Sequence, residues 1–283
     1  MNPPTTSRPG TRPGARTPRL VATLVTTLLV VSSCGAAAAT SPSARPTSAH
    51  LIVFAAASLT QALAAAVPAY ESSHPGLTLT VSPGASSALR VQIEQGAPAD
   101  VFLSADTVNA QALVTEKLAD GAAVPFAGNT LTVIVPDGNP AHISSPVDLG
   151  RPGVRVVAAG SQVPITKYAE QVVRNLAKLP GYGADFASRY EANVVSHEDD
   201  VSAVVAKVAL GEGDAAIVYV TDAKSSTHVR SIPIPASANV PATYAGVVVG
   251  SSAHLADAHA FLAWLAGPDG HAILARFGFL AAP

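Results

Sequence analysis

Serines stand where short apolar runs give way to amphipathic ones. Leu51-Ile52-Val53-Phe54 passes through three alanines to Ser58, after which Leu59 to Leu63 reads as helix. Leu77 to Val81 passes through Ser82-Pro83-Gly84-Ala85 to Ser86 and Ser87, and Ala88 to Ile93 opens the next helix. A hydroxyl at such a turn lies beside backbone N–H groups without intrahelical partners and beside the positive end of a helix dipole. Together these make an anion site. Neither turn carries Lys or Arg at its apex. Two later turns repeat the theme through the backbone. Val154 to Ala158 leads through Gly160-Ser161-Gln162-Val163 to Pro164-Ile165-Thr166, where proline suits the first helical turn and leaves the N–H of Ile165 free to point outward. Asp199-Asp200-Val201 offers an Asp as N-cap, with the N–H of Val201 in the first turn. Tyr219 closes the apolar run Ala215 to Val218, and a phenol there needs a polar partner, either a ligand or a carbonyl.

Each feature has a plain structural reading. Ser58, Ser86, Ser87, Asp199 and Asp200 read singly as helix caps, Ile165 and Val201 as core, and Tyr219 as a half-buried tyrosine. The signal is their coincidence, because several helix N-termini follow strand C-termini, where open α/β sheets bind ligands. The residues alone reach an anion or small polar ligand. An exported α/β hydrolase using Ser86 is the rival from another class. Gly84-Ala85-Ser86-Ser87-Ala88 half-matches G-x-S-x-G, but the last glycine is missing and the motif falls early. The eight histidines are scattered without metal-pair spacing, and Glu198-Asp199-Asp200 reads as capping and dipole compensation.

The elements that must hold these residues alternate. Strands are expected at 51–55, 77–81, 101–104, 131–135, 154–158, 215–220, 229–234 and 245–249. Helices are expected at 59–70, 87–95, 110–117, 166–179, 183–190, 201–210, 256–266 and 269–277. This spacing predicts parallel βαβ units with helices on both sheet faces. Leu131 to Val135 ends at the breaker Pro136-Asp137-Gly138-Asn139-Pro140, and Ser231-Ile232-Pro233-Ile234-Pro235 is a proline-punctuated extended segment. Two such segments suit a chain that crosses between two lobes and returns. Spacing alone leaves open a single doubly-wound domain with a proline-rich edge.

Before the fold lies a leader. Arg8, Arg12, Arg16 and Arg19 precede the apolar stretch Leu20 to Val31, too short to span a bilayer as a mature helix. It runs into Val31-Ser32-Ser33-Cys34-Gly35, which resembles the bacterial lipobox, and that resemblance implies lipidation of Cys34 and an anchor on the outer face of the cytoplasmic membrane. Cys34 is the only cysteine, so no intrachain disulfide forms. The expected organisation is a signal peptide at 1–33, a tether at 34–49 reaching on the order of 20 Å, a first lobe begun by 50–130, a second lobe at 131–230, and a return at 231–283 that completes the first. A net charge of −2 with 13% charged residues gives no basic field and argues against nucleic acid as a partner.

Three strings carry a family resemblance: Val53 to Thr60, Gly84 to Leu89, and the run from Gln92 through Ile93-Glu94-Gln95-Gly96-Ala97-Pro98-Ala99-Asp100-Val101-Phe102-Leu103-Ser104-Ala105-Asp106. With Gly128 to Leu131, Val163-Pro164, Glu198 to Val201, Ile217 to Tyr219 and Arg276 to Phe279, the chain resembles the extracytoplasmic molybdate-binding proteins of ABC importers (the ModA family) from about Leu51 to Phe279. The resemblance implies a two-lobed α/β periplasmic binding protein of type II with two crossover strands, no enzymatic activity and no cofactor. It also implies a monomer that serves an ABC permease and its ATPase. Carried over by position, it implies that Ser58 and Ser86 hydroxyls, the amides of Ile165 and Val201 and the Tyr219 phenol hold molybdate, with tungstate as a second ligand. The metal is bound only as its oxyanion. Where the family commonly has Pro-Ala-Gly, this chain has Pro164-Ile165-Thr166, which keeps an amide donor but adds bulk. Lys167 follows where the family varies and is not assigned to the ligand. A fully deprotonated dianion only accepts hydrogen bonds, so a cradle of donors suits it. Hydrogen phosphate brings a proton that such a cradle leaves unpaired. Glu198 or Asp199 would undo this if turned inward. Sulfate, equally proton-free, is the alternative ligand within the class.

Overall fold

Alternating side-chain direction sets the two faces of the first sheet. The computed structural model describes residues 48–282, so the leader, Cys34 and the tether up to residue 47 lie outside the described residues. β1 (Ala49–Ala56) sends Leu51, Val53 and Ala55 into one apolar cluster and Phe54 into another on the opposite face, the period of two of a pleated strand. α1 (Thr60–Ser73) leads to β2 (Leu77–Gly84), and α2 (Ser86–Glu94) leads to β3 (Val101–Ser104). Both strands lie parallel to β1. α3 (Thr107–Thr115) starts earlier than the apolar pattern suggests, because the Asp106 carboxylate accepts the Asn109 N–H at 2.8 Å and caps it. β4 (Ala119–Asn129) then runs along the sheet edge.

From β4 the chain passes through Thr130 alone into β5 (Leu131–Pro136), the middle strand of a second sheet. There follow β6 (Val156–Ala159), α4 (Pro164–Leu176), α5 (Phe186–Ala192), β7 (Val194–Glu198), α6 (Val201–Ala209), β8 (Ala216–Tyr219), α7 (Val220–Lys224) and β9 (Val229–Pro233). The chain returns to the first sheet as β10 (Ala242–Val249), followed by α8 (Leu255–Leu265) and α9 (Pro268–Arg276). Asn239 in the return segment accepts the Leu131 N–H at 3.0 Å and donates to the Leu131 carbonyl at 2.8 Å. The outgoing and returning passages are thus held side by side.

The expectation of purely parallel pairing is corrected. β1 with β2, β1 with β3 and β6 with β7 are parallel, but β10 is antiparallel to β3 and β4, and β5 is antiparallel to β8 and β9. A parallel neighbour needs a helix-length crossover. β5 is entered from β4 without a crossover helix, and its neighbours β8 and β9 both run against it. Ser231 to Pro233 lies in β9, at the edge of its sheet, where the missing proline N–H costs nothing. The sequence reading did not include β4, β7 and α7.

Candidate functional site

Five chain reversals at the C-terminal ends of strands meet at one small cavity. Ser58 follows β1 in a 3-10 turn, Ala57–Leu59, that feeds α1, and its Oγ lies 2.9 Å from the Oη of Tyr244. Ser86 is the first residue of α2 and is 1% exposed. Its Oγ accepts the Ala105 N–H at 3.0 Å, so its one hydroxyl hydrogen is left for another acceptor. Ile165 follows Pro164 in the first turn of α4, where Val163 provides no side-chain cap. Val201 opens α6 behind Asp200, whose Oδ1 accepts the Ala203 N–H at 3.0 Å. Among the described residues neither the Ile165 nor the Val201 amide has a hydrogen-bond acceptor. Tyr219 ends β8 and is 1% exposed, and its Oη has no hydrogen-bond partner among the described residues.

Ser58, Ser86, Ile165, Val201 and Tyr219 therefore line the same cavity, with Ala56, Ala57, Gly84, Ala85, Ala105, Val163, Pro164 and Asp200 completing its wall. Ser87 and Asp199, which the sequence offered beside them, are not in that wall, and no Lys, Arg or His is. Asp200 is both cap and wall, as its Oδ1 already serves Ala203. Glu198 turns to Lys207, with Oε1 2.8 Å from Nζ. Burial works to raise the Glu198 carboxyl, but the hydrogen bonds from Lys207 and Ser196 outweigh it and hold it below its ordinary value. Asp199 is exposed. Neither carboxylate supplies the acceptor that a protonated ligand would need.

Burial also settles the charge state of the phenol. It pushes Tyr219 well above its ordinary value, with the charge of neighbouring groups adding to the effect, so the hydroxyl keeps its proton and is a donor. Asp222, two residues into α7, is buried and accepts the Tyr219 backbone N–H at 3.2 Å through Oδ2. Burial pushes its carboxyl up to about 8, opposed by that N–H and assisted by the charge of Asp200. Beside the Asp200 carboxylate, whose Oδ1 serves Ala203, the wall offers neutral hydroxyls and amides without a fixed cation. Such donors suit a proton-free anion, each charge-assisted hydrogen bond contributing roughly 1.5–3 kcal/mol.

The hydrolase reading requires an imidazole at Ser86. Its Oγ instead meets the Ala105 amide, and the wall holds no His. Sequence reasoning did not single out Tyr244, Asn129 or Asp222. Tyr244 carried the same signal as Tyr219, a phenol in an apolar strand that must find a partner. Asn129 and Asp222 are polar residues beside a crossing and a strand end, where nothing in the sequence separates them from ordinary turn residues.

Residues 51–280 match the sequence profile of the bacterial extracellular solute-binding proteins. The chain is 34% identical over 261 residues to the molybdate-binding protein ModA of Mycobacterium tuberculosis, covering 90% of this chain and 95% of that protein. Among solved structures it is similar to the periplasmic molybdate-binding protein of Azotobacter vinelandii, with a TM-score of 0.69 and 23% identity over 82% of this chain and 100% of that one. It is also similar to the sulfate-binding protein SubI of M. tuberculosis, with a TM-score of 0.72 and 23% identity over 82% of this chain and 86% of that one. At that identity the structural matches speak for the fold alone, a two-lobed α/β binding-protein fold, and the fold does not choose between the oxyanions.

Proposed function

The chain belongs to the bacterial extracellular solute-binding proteins, and on that premise we propose that it captures molybdate, and with it tungstate, for an ABC importer. It binds and hands over its ligand and catalyses no reaction. The observation that carries the reading is the convergence, on a single cavity, of two serine hydroxyls, two helix-start amides and one phenol. Among the described residues the amides and the phenol have no hydrogen-bond partner, and no Lys or Arg lines the cavity. Molybdate at neutral pH has acceptors only, so such donors are satisfied without any proton left over. Ser58 and Ser86 would hold it from the first lobe, begun by residues 50–130 and completed by the chain after β9. Ile165, Val201 and Tyr219 would hold it from the second, which carries β5 to β9.

What supports a lipid anchor is the lipobox-like string around Cys34, which would keep the monomeric protein on the outer face of the cytoplasmic membrane near the permease and ATPase it serves. Calorimetry on the purified domain with molybdate, tungstate, sulfate and phosphate tests the ligand. Tight molybdate and tungstate binding with little heat from phosphate is expected. Tight sulfate binding with no response to molybdate would move the assignment to sulfate.

A further inference from the structure

Tyr244 stands outside the cavity wall, yet it touches the one ligand-facing serine whose hydroxyl could point either way. A serine Oγ carries one hydrogen and two lone pairs, so Ser58 serves an anion only if something directs its hydrogen into the cavity. The surroundings of Tyr244 supply that direction, starting at the passage between the sheets. The Thr130 N–H donates to Asn129 Oδ1 at 2.9 Å, which fixes which end of that amide is oxygen. Asn129 Nδ2 then has two hydrogens to place. One goes to Thr221 Oγ1 at 2.9 Å and the other to Tyr244 Oη at 3.4 Å. An amide nitrogen only donates, so Tyr244 Oη is the acceptor there. Its own single hydrogen has Ser58 Oγ, at 2.9 Å, as its acceptor among the described residues.

The ring cannot swing away from this duty. Tyr244 is fully buried, edge-on to Phe279 at 5.3 Å, Tyr219 at 5.6 Å and Phe126 at 6.2 Å between centroids. Burial also pushes its phenol well above its ordinary value, so the proton stays on. Donation therefore runs one way, from Asn129 to Tyr244 to Ser58, and the Ser58 hydrogen is left available to an acceptor in the cavity that Ser58 lines.

We propose that Tyr244 is a specificity-determining positioning residue: by donating to Ser58 Oγ it makes Ser58 an obligatory donor, which favours a proton-free oxyanion over one that carries a proton. If Ser58 instead accepted a P–OH on its second lone pair, its own hydrogen and that of Tyr244 would have only the one Oγ–Oη line between them. One of the two would then be stranded, and a stranded buried donor is costly. The inference rests on the oxyanion reading above and goes beyond it by naming what sets the polarity of the site.

The test is a double-mutant cycle by calorimetry on Tyr244→Phe, Ser58→Ala and the pair, with molybdate as ligand and inorganic phosphate as competitor. Phe keeps the ring packing. Tyr244→Phe is expected to weaken molybdate about three- to tenfold, the range of one ordinary hydrogen bond, and to narrow the molybdate-to-phosphate ratio. In the Ser58→Ala background it should change molybdate affinity less than about twofold, the cycle reporting the coupling directly. Should Tyr244→Phe fail to fold, Asn129→Ala, which leaves the ring in place, is expected to give a smaller loss with the same dependence on Ser58. An equal loss with and without the Ser58 hydroxyl, or unchanged selectivity, overturns the role of Tyr244 while leaving molybdate binding intact. Wild-type protein that binds no oxyanion at all overturns both readings.

Discussion

Tyr219 and Tyr244 meet edge to face, with ring centroids 5.6 Å apart, across the junction of the two sheets. Both are buried to within 1% of full enclosure, yet their hydroxyls fare differently. Tyr244 Oη has Ser58 and Asn129, whereas the Oη of Tyr219, a residue that lines the cavity, has no partner among the described residues. A buried donor without an acceptor costs about 1–3 kcal/mol, and a bound anion would remove that cost.

Tyr219→Phe follows from this contrast. Without ligand the variant is expected to be as stable as wild type or more so, by up to about 1 kcal/mol, because it deletes a group that the fold does not satisfy. Its molybdate affinity should fall by roughly tenfold or more, the loss of one hydrogen bond to a charged acceptor. Thermal melts of the free protein and calorimetry check the two halves. Loss of ligand-free stability together with unchanged affinity would mean that the phenol serves the fold.

The two serines should separate in the same pair of measurements. Ser86 Oγ also accepts the Ala105 N–H, so Ser86→Ala leaves a buried amide unpaired. It is expected to cost about 1–3 kcal/mol of stability as well as affinity. Among the described residues Ser58 accepts no backbone hydrogen bond but takes the hydrogen of the buried Tyr244 phenol, which Asn129, a donor there, cannot accept. Ser58→Ala should lower affinity and also cost stability, and adding Tyr244→Phe should restore the melting temperature in that background only. Equal recovery of melting temperature on adding Tyr244→Phe to Ser86→Ala would contradict this division.

Stability far from the cavity is expected to hinge on Gly270. It lies in the first turn of α9, and a Cβ built there would sit 2.2 Å from the Leu265 carbonyl oxygen, at the end of α8. That neighbour is backbone and cannot rotate aside. Gly270→Ala should therefore separate the two helices and destabilise the domain by about 1–3 kcal/mol, the usual cost of overpacking. Urea unfolding reads the loss. Molybdate affinity at a temperature where the variant is folded should match wild type.

What could be read from the sequence followed from how strongly each segment declares itself. The apolar runs around Val53, Val133 and Val247 announce strands because β-branched residues alternate or cluster there. β4 does not, since Gly121, Pro125 and Gly128 interrupt it. Such a segment is tolerated only on an edge with register shifts, which is where it lies. β7 is short and half exposed, and α7 has only five residues. In the site, Ser58 and Ser86 were visible as hydroxyls at turns. Ile165 and Val201 offer only backbone, so their signal was the helix starts at Pro164 and after Asp200, and the family resemblance added the ligand role. The pairing of Ser58 with Tyr244 spans 186 residues and depends on β10 returning antiparallel beside β3, which no local pattern encodes.

The buried carboxyl of Asp222 ties pH to both stability and binding. Its value of about 8 in the folded protein compares with roughly 4 for an unfolded aspartate. Between those limits the native state keeps a proton that the unfolded chain has released, so stability is full at the acid end, falls as pH rises through the window, and levels off above about 8. Asp148, Asp214 and Glu198 are shifted the opposite way. Their contribution is lost only as pH falls below roughly 4, so they do not compete in the neutral range. Because Asp222 accepts the backbone N–H of Tyr219, its ionisation places a negative charge next to a residue that would hold an anion. Molybdate affinity is therefore expected to fall as pH rises through about 8, with proton uptake on binding in that region. Asp222→Asn keeps an oxygen for the Tyr219 N–H and removes the titration. Melting temperatures and dissociation constants measured from pH 6 to 9 should slope in the wild type and run nearly flat in the variant. Parallel slopes in both would assign the pH dependence to another group.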